Sequence, residues 1–127
     1  MRTYEDIESY LVQLGLPYET VKEGLWVIHD EENRVGKIVV ACDPPIVVFR
    51  VKVMEIPPTN REALFRRLLE LNATDLVHGA YGIEGESIVL IDTLQLENLD
   101  FNEFQASIEA LELAVSGHFE SLNPYRG

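Results

Sequence analysis

Residues 57–95 read PPTNREALFRRLLELNATDLVHGAYGIEGESIVLIDTLQ, and the fold turns on how this stretch is read. Pro57 and Pro58 cannot sit inside a helix, and Pro58 biases Pro57 toward extended backbone. Thr59 then fits an N-cap, with Glu62 placed three residues on to complete a capping box. Leu64, Leu68 and Leu71 recur at helical spacing with Phe65 and Leu69 beside them, so the apolar stripe is wide enough to touch more than one surface. Arg61, Arg66 and Arg67 take the remaining side, and Asn72, which tolerates left-handed dihedrals, is the expected stop. Two strands follow over residues 77–83 and 87–95, joined at Glu84-Gly85-Glu86.

Upstream, three strands are expected over residues 24–29, 36–42 and 46–53, with a loop at 30–34 and a turn at Asp43-Pro44-Pro45, since tandem prolines cannot pair centrally in a ladder. Short connections make these strands antiparallel neighbours. In the third, Val47, Phe49, Val51 and Val53 point one way, and Ile46, Val48, Arg50 and Lys52 the other. In the last strand Val89 and Ile91 face one side while Ile88, Leu90 and Leu94 face the other. Both faces are apolar, whereas an antiparallel sheet covered on one side only shows cleaner alternation. The second face is therefore expected to be covered in part, by a helix of this chain or by another subunit.

A helix opens and another closes the chain. Thr3 and Asp6 stand at capping-box spacing, Tyr4, Ile7, Leu11 and Leu14 share a face, and Gly15 with Pro17 ends the helix. Asp100 and Glu103 start the last one, whose stripe runs through Phe104, Ile108, Leu111, Val115 and Leu122 over about 33 Å. Its outer side carries Glu103, Glu109, Glu112 and Glu120 with no Lys or Arg between, Asn123-Pro124 ends it, and residues 125–127 are an expected frayed tail. The order α-β-β-β-α-β-β-α makes an α+β fold, a five-stranded antiparallel-dominated sheet packed with helices, in a single domain spanning residues 1–127.

Charge narrows the function classes. Ten Lys and Arg against 22 Asp and Glu give a formal net charge of −12, which repels phosphates and anionic lipid, so neither nucleic acid nor a membrane is an expected partner. The N-terminus lacks the apolar core of a signal peptide and no apolar run is long enough to span a bilayer, so a cytoplasmic location is expected. The single cysteine, Cys42, sits in an apolar run as a small hydrophobe.

Catalytic and metal signatures are not found. His29, His78 and His118 are far apart and none has a partner at metal-ligand spacing; His118 and His78 read as structural. Gly79-Ala80-Tyr81-Gly82-Ile83 lacks the P-loop and dinucleotide patterns, and its glycines point instead to a bulge or to close packing by a helix or partner chain. No serine sits in a nucleophile elbow. No catalytic residue, metal or cofactor is assigned.

Leu68-Leu69-Glu70-Leu71-Asn72, then Gly79-Ala80-Tyr81-Gly82-Ile83, Ser87-Ile88-Val89-Leu90, Leu94, Leu96, Leu99 and the long acidic helix together resemble the type III secretion chaperone-like superfamily and, within it, the YbjN group. The resemblance covers nearly the whole chain as an order of elements, and residues 68–122 at the level of side chains. It implies a small acidic protein, commonly a homodimer, that binds other proteins; secretion chaperones hold a partly unfolded client segment along apolar grooves, and the YbjN group is linked to stress and signalling regulation. The Pro44-Pro45 turn and the arginine cluster map onto no family site, and no functional residue is carried over.

A non-enzymatic protein-binding domain, chaperone-like or regulatory, acting as a homodimer on a protein partner is the expectation, with Ile46, Val48, Phe65, Arg66 and Leu69 as the candidate contact residues. The alternative is a small-molecule sensor or enzyme with a pocket between the sheet and the last helix, lined by Trp26, His78 and Tyr81.

Overall fold

The computed structural model describes residues 3–31 and 35–126. Its elements run α1 (Tyr4–Leu14), β1 (Tyr18–Lys22), β2 (Leu25–Asp30), β3 (Gly36–Asp43), β4 (Ile46–Glu55), α2 (Arg61–Thr74), β5 (Ala80–Glu84), β6 (Ser87–Gln95) and α3 (Phe101–Leu122), closed by a 3-10 turn, Asn123–Tyr125. The strands form one antiparallel sheet in the order β1-β2-β3-β4-β6-β5.

One face of the sheet carries the core. Trp26, Ile28, Ile38, Val40, Val47, Phe49, Val51, Ile88 and Leu90 are buried there, in one cluster with Ile7 and Leu11 of α1, Leu64, Leu68 and Leu71 of α2, and Phe104, Ile108 and Leu111 of α3. Phe49 meets the Phe104 ring edge-on at 5.3 Å, and Tyr10 lies 5.7 Å from the same ring. Polar groups inside this layer are tied: the Tyr10 hydroxyl donates to the Leu99 carbonyl at 2.8 Å, and Ser107 donates to Asp92 at 2.6 Å, joining α3 to β6. The two terminal helices begin as the sequence predicts. Both reciprocal hydrogen bonds of a capping box are present at Thr3/Asp6 and at Asp100/Glu103, and Gly15 ends α1 in the left-handed region at φ 81°.

Several expectations are corrected. The sheet has six strands, not five, because Tyr18–Lys22 pairs with β2 as an edge strand whose last four residues are exposed, so it carries no alternating apolar signal. Thr59 does not cap α2; Asn60 does, at φ 61°, without a side-chain cap bond, and the helix runs two residues past Asn72. A register shift between Lys52 and Met54 puts Met54 in the core where alternation predicts Val53. Residues 77–79 are loop, and β5 starts at Ala80. Within the expected 30–34 loop, Asp30 closes β2; residues 32–34 lie outside the described residues. The tail is anchored through Arg126, which lies 4.7 Å over the Phe119 ring and donates to the Phe119 carbonyl, while residue 127 lies outside the described residues.

Among the described residues no helix seals the second face of the sheet. Leu25, Val27, Val39, Ala41, Ile46, Val48 and Ile91 all remain half-exposed there. Between them Arg50 pairs with Glu84 at 3.2 Å. No helix among the described residues is long and apolar enough to cross a membrane.

Candidate protein-binding surface

Helix α2 is placed at the β5 edge of the sheet by three apolar residues and one amide. Leu64, Leu68 and Leu71 are buried, while Asn72 accepts from the Tyr81 N–H at 2.8 Å and donates to the Tyr81 carbonyl at 3.2 Å. An edge strand offers unpaired backbone groups to other chains, and Asn72 occupies one such pair here. The residue expected to stop the helix therefore clamps it to the sheet.

That placement leaves the rest of the apolar stripe in solvent. Leu69 is 67% exposed, Ile83 is 56% exposed, and Phe65 is half-buried between them. Together with Gly82 and Tyr81 they line a cleft of about 370 Å³, mostly apolar. A shallower depression continues from Phe65 and Leu69 across Arg66 and Ala73. Leu69 left in water forgoes roughly 1.5–3 kcal/mol of burial, which an occupant of the cleft recovers. Gly82 leaves this surface flat: a Cβ there would meet nothing within 4 Å, so it is not a site of tight packing. Gly79 is one, since its φ is +78° and a Cβ would stand 2.8 Å from the Ile91 carbonyl oxygen.

The arginine cluster disperses into ion pairs. Arg61 holds the Pro57 carbonyl at 2.8 Å and Glu86 at 3.2 Å, Arg66 lies 3.9 Å from Glu70, and Arg67 reaches Glu70 and Ser121. Arg66 remains exposed at the rim of the cleft.

Of the five candidate contact residues, Phe65, Arg66 and Leu69 thus come together. Ile46 and Val48 do not join them; they lie on the half-exposed second face of the sheet, opposite Gln95 and Thr93 of β6. Ile83 was not a candidate, although it shares a strand face with the buried Tyr81 and its exposure completes the cleft.

Trp26, His78 and Tyr81 do not form a pocket between sheet and last helix. Trp26 is fully buried and donates to Glu8 of α1 at 3.3 Å, and His78 is exposed on the loop before β5. Tyr81 instead meets His118 of α3: its hydroxyl lies 2.6 Å from Nδ1, while Nε2 lies 2.5 Å from the Asp75 carboxylate. A carboxylate only accepts, so Nε2 carries a proton, and in the neutral ring Nδ1 accepts from the phenol. Burial, and secondarily the charge of Asp75, push the Tyr81 phenol up to about 12, with Arg126 opposing. Such a phenol is an inert hydrogen-bond donor at neutral pH. Burial, with the nearby Asp43 charge, also raises the Cys42 thiol, which suits a core residue and not a nucleophile. Among the described residues no group of His, Cys, Asp and Glu is arranged to hold a metal ion.

One sheet backed by a single helical layer, with an apolar stripe left open on its middle helix, defines a binding module of the secretion-chaperone fold. The chain belongs to the CesT_Tir_1 family of type III secretion chaperones, whose model matches residues 1–126. Solved structures show the same fold at low identity. The ExoU–SpcU heterodimeric complex from the type III secretion system of Pseudomonas aeruginosa matches with a TM-score of 0.73 at 17% identity, over 93% of this chain and 98% of that one. YbjN from E. coli, a candidate transcription regulator, matches at 0.70 and 12%, over 94% and 93%. The Yersinia pestis secretion chaperone SycH, in complex with a stable fragment of YscM2, matches at 0.65 and 15%, over 91% and 98%. A search of the curated proteins finds no match.

Proposed function

We propose that this chain is a non-enzymatic, chaperone-like or regulatory protein that acts in the cytoplasm as a homodimer, without a cofactor, and engages a protein partner. The observation that carries this is the open stripe of Phe65, Leu69 and Ile83 over an apolar cleft at the α2–β5 edge. A two-fold pairing of this face buries each side chain twice, because an isologous contact repeats every residue on both subunits. Arg66 and Glu70, both exposed at its rim, can then form cross-subunit pairs. Ile46 and Val48, on the open face of the sheet, are assigned to the partner. The likeness to SpcU and SycH, each solved with a second protein, supports a protein partner here.

Light scattering on the wild type, Leu69→Glu and Val48→Glu tests the assignment. The wild type is expected to run as a dimer, Leu69→Glu as a monomer with an unchanged far-UV spectrum, and Val48→Glu as a dimer. A Leu69→Glu protein that keeps the dimer mass rules the α2 face out, and a Val48→Glu monomer moves the interface to the sheet.

A further inference from the structure

The two edges of the sheet are not alike. At the β1 edge Glu19, Thr20, Val21 and Lys22 are all exposed, and a register shift between Thr20 and Lys22 breaks the ladder. Charged side chains and bulges keep an edge strand from pairing with another chain. The β5 edge has neither at Ile83, since its ladder with β6 runs from Ala80 to Glu84 without a shift. In an antiparallel strand alternate residues turn their N–H and C=O away from the neighbour. Tyr81 is one of these, because Asn72 of α2 holds both of its outward groups. Ile83, two residues on, presents the next outward pair, and among the described residues nothing bonds to it. That pair lies in the wall of the α2 cleft, beside an Ile83 side chain that is 56% exposed and a Gly82 with open space around it.

A two-fold axis through Ile83 closes this pair on itself. With Ile83 opposite the Ile83 of a second copy in an antiparallel ladder, the two residues exchange both bonds. Gly82 then stands opposite the second copy's Glu84, and Tyr81 opposite its Gly85. Asn72 already fills the Tyr81 pair, so the pairing stops at one residue on either side. Charge permits the approach. The two acids of the hairpin are each held by a cation, Glu84 by Arg50 and Glu86 by Arg61, both at 3.2 Å. Arg66 and Glu70 on the adjoining face of α2 offer opposite signs to their counterparts across the axis. A strand of an unrelated protein would gain the same two bonds and no repeated contact, whereas a second copy brings its own Phe65 and Leu69 to the same cleft. We propose that the sheets of two copies join edge to edge at Ile83, each Ile83 N–H donating to the other's carbonyl, with the two α2 helices side by side over the join. This pairing rests on the homodimer reading above and goes beyond it, since a dimer held by α2 alone would lack it.

Full-length chain mixed from isotope-labelled and unlabelled copies gives the test, because filtered nuclear Overhauser spectra then show only contacts between copies. Gly82 and the second copy's Glu84 would form a non-hydrogen-bonded pair with Cα atoms about 4.5 Å apart, so a contact between their Hα protons is expected. The Ile83 amide is expected to exchange slowly in the wild type and fast in Leu69→Glu. Ile83→Pro removes an edge-facing donor that the β6 ladder does not use. It is expected to raise the dimer dissociation constant at least about tenfold, the scale of two lost hydrogen bonds. Contacts between copies at Phe65 and Leu69 without the Gly82–Glu84 contact overturn the strand pairing and leave the α2 dimer standing. An Ile83 amide that exchanges equally fast in the wild type and in Leu69→Glu, or an unchanged dissociation constant for Ile83→Pro, overturns it in the same way. Contacts centred on Glu19 and Thr20 overturn it in favour of the β1 edge, and a monomeric wild type sinks both readings.

Discussion

Tyr81 joins three elements at one point. Its backbone is held by Asn72 of α2, its ring lies against His118 of α3, and the far nitrogen of that imidazole is held by Asp75 at the end of α2. Tyr81→Phe keeps the ring and removes the donor to a buried nitrogen, which costs about 1–3 kcal/mol. The same substitution has a pH signature. Folding raises the phenol from an ordinary value near 10 to about 12. The unfolded chain therefore releases this proton first, and the associated stability is whole below pH 10 and lost as pH rises through 12. Urea unfolding at about pH 9 and about pH 11 is expected to show a smaller loss for Tyr81→Phe than for the wild type, the remaining tyrosines being common to both. Parallel losses in the two proteins would mean that folding does not hold this phenol un-ionised.

At the scale of the element, α2 separates a local signal from a tertiary one. Thr59 and Glu62 have the spacing of a cap, yet the chain enters the helix through Asn60 in the left-handed region. Arg61 decides the contest by folding back onto the Pro57 carbonyl and across to Glu86 at the β5–β6 turn. Thr59→Ala is expected to change stability by less than about 0.5 kcal/mol, against about 1 for a lost cap. Asn60→Gly, freed from left-handed strain, is expected to be neutral or stabilising by up to about 1 kcal/mol. Denaturant midpoints of the two variants check both; a Thr59→Ala loss near 1 kcal/mol would restore the cap. The starts of α1 and α3 were legible because a capping box is closed by residues three apart, Thr3/Asp6 and Asp100/Glu103, and both boxes form. Strand β1 was not, since an exposed edge leaves no buried alternation to read. Half of the candidate site was legible for a similar reason: Phe65 and Leu69 exceed what one buried stripe needs, whereas the exposure of Ile83 depends on where the helices stop covering its strand. The Asp75–His118–Tyr81 contact joins positions 43 and 37 residues apart, which no spacing rule anticipates.

Across the whole molecule the excess of twelve negative charges is unevenly relieved. Arg50, Lys52, Arg61, Arg66 and Arg67 are each paired with a glutamate, all between β4 and the β5–β6 hairpin. Helix α3 contains no Lys or Arg, and its Glu103, Glu109 and Glu120 are exposed. Salt acts on both groups. It weakens exposed pairs worth at most about 1 kcal/mol each, and it screens repulsion that extends over a Debye length of about 10 Å at 0.1 M. Because Asp and Glu outnumber Lys and Arg by twelve, repulsion outweighs attraction, and calorimetry from about 0.02 to about 0.5 M NaCl should show the melting temperature rising by roughly 2–6 °C. Glu120→Lys removes part of the repulsion in advance, so its rise is expected to be smaller. A flat or falling salt curve would show that the pairs around β4 and α2 already balance the charge.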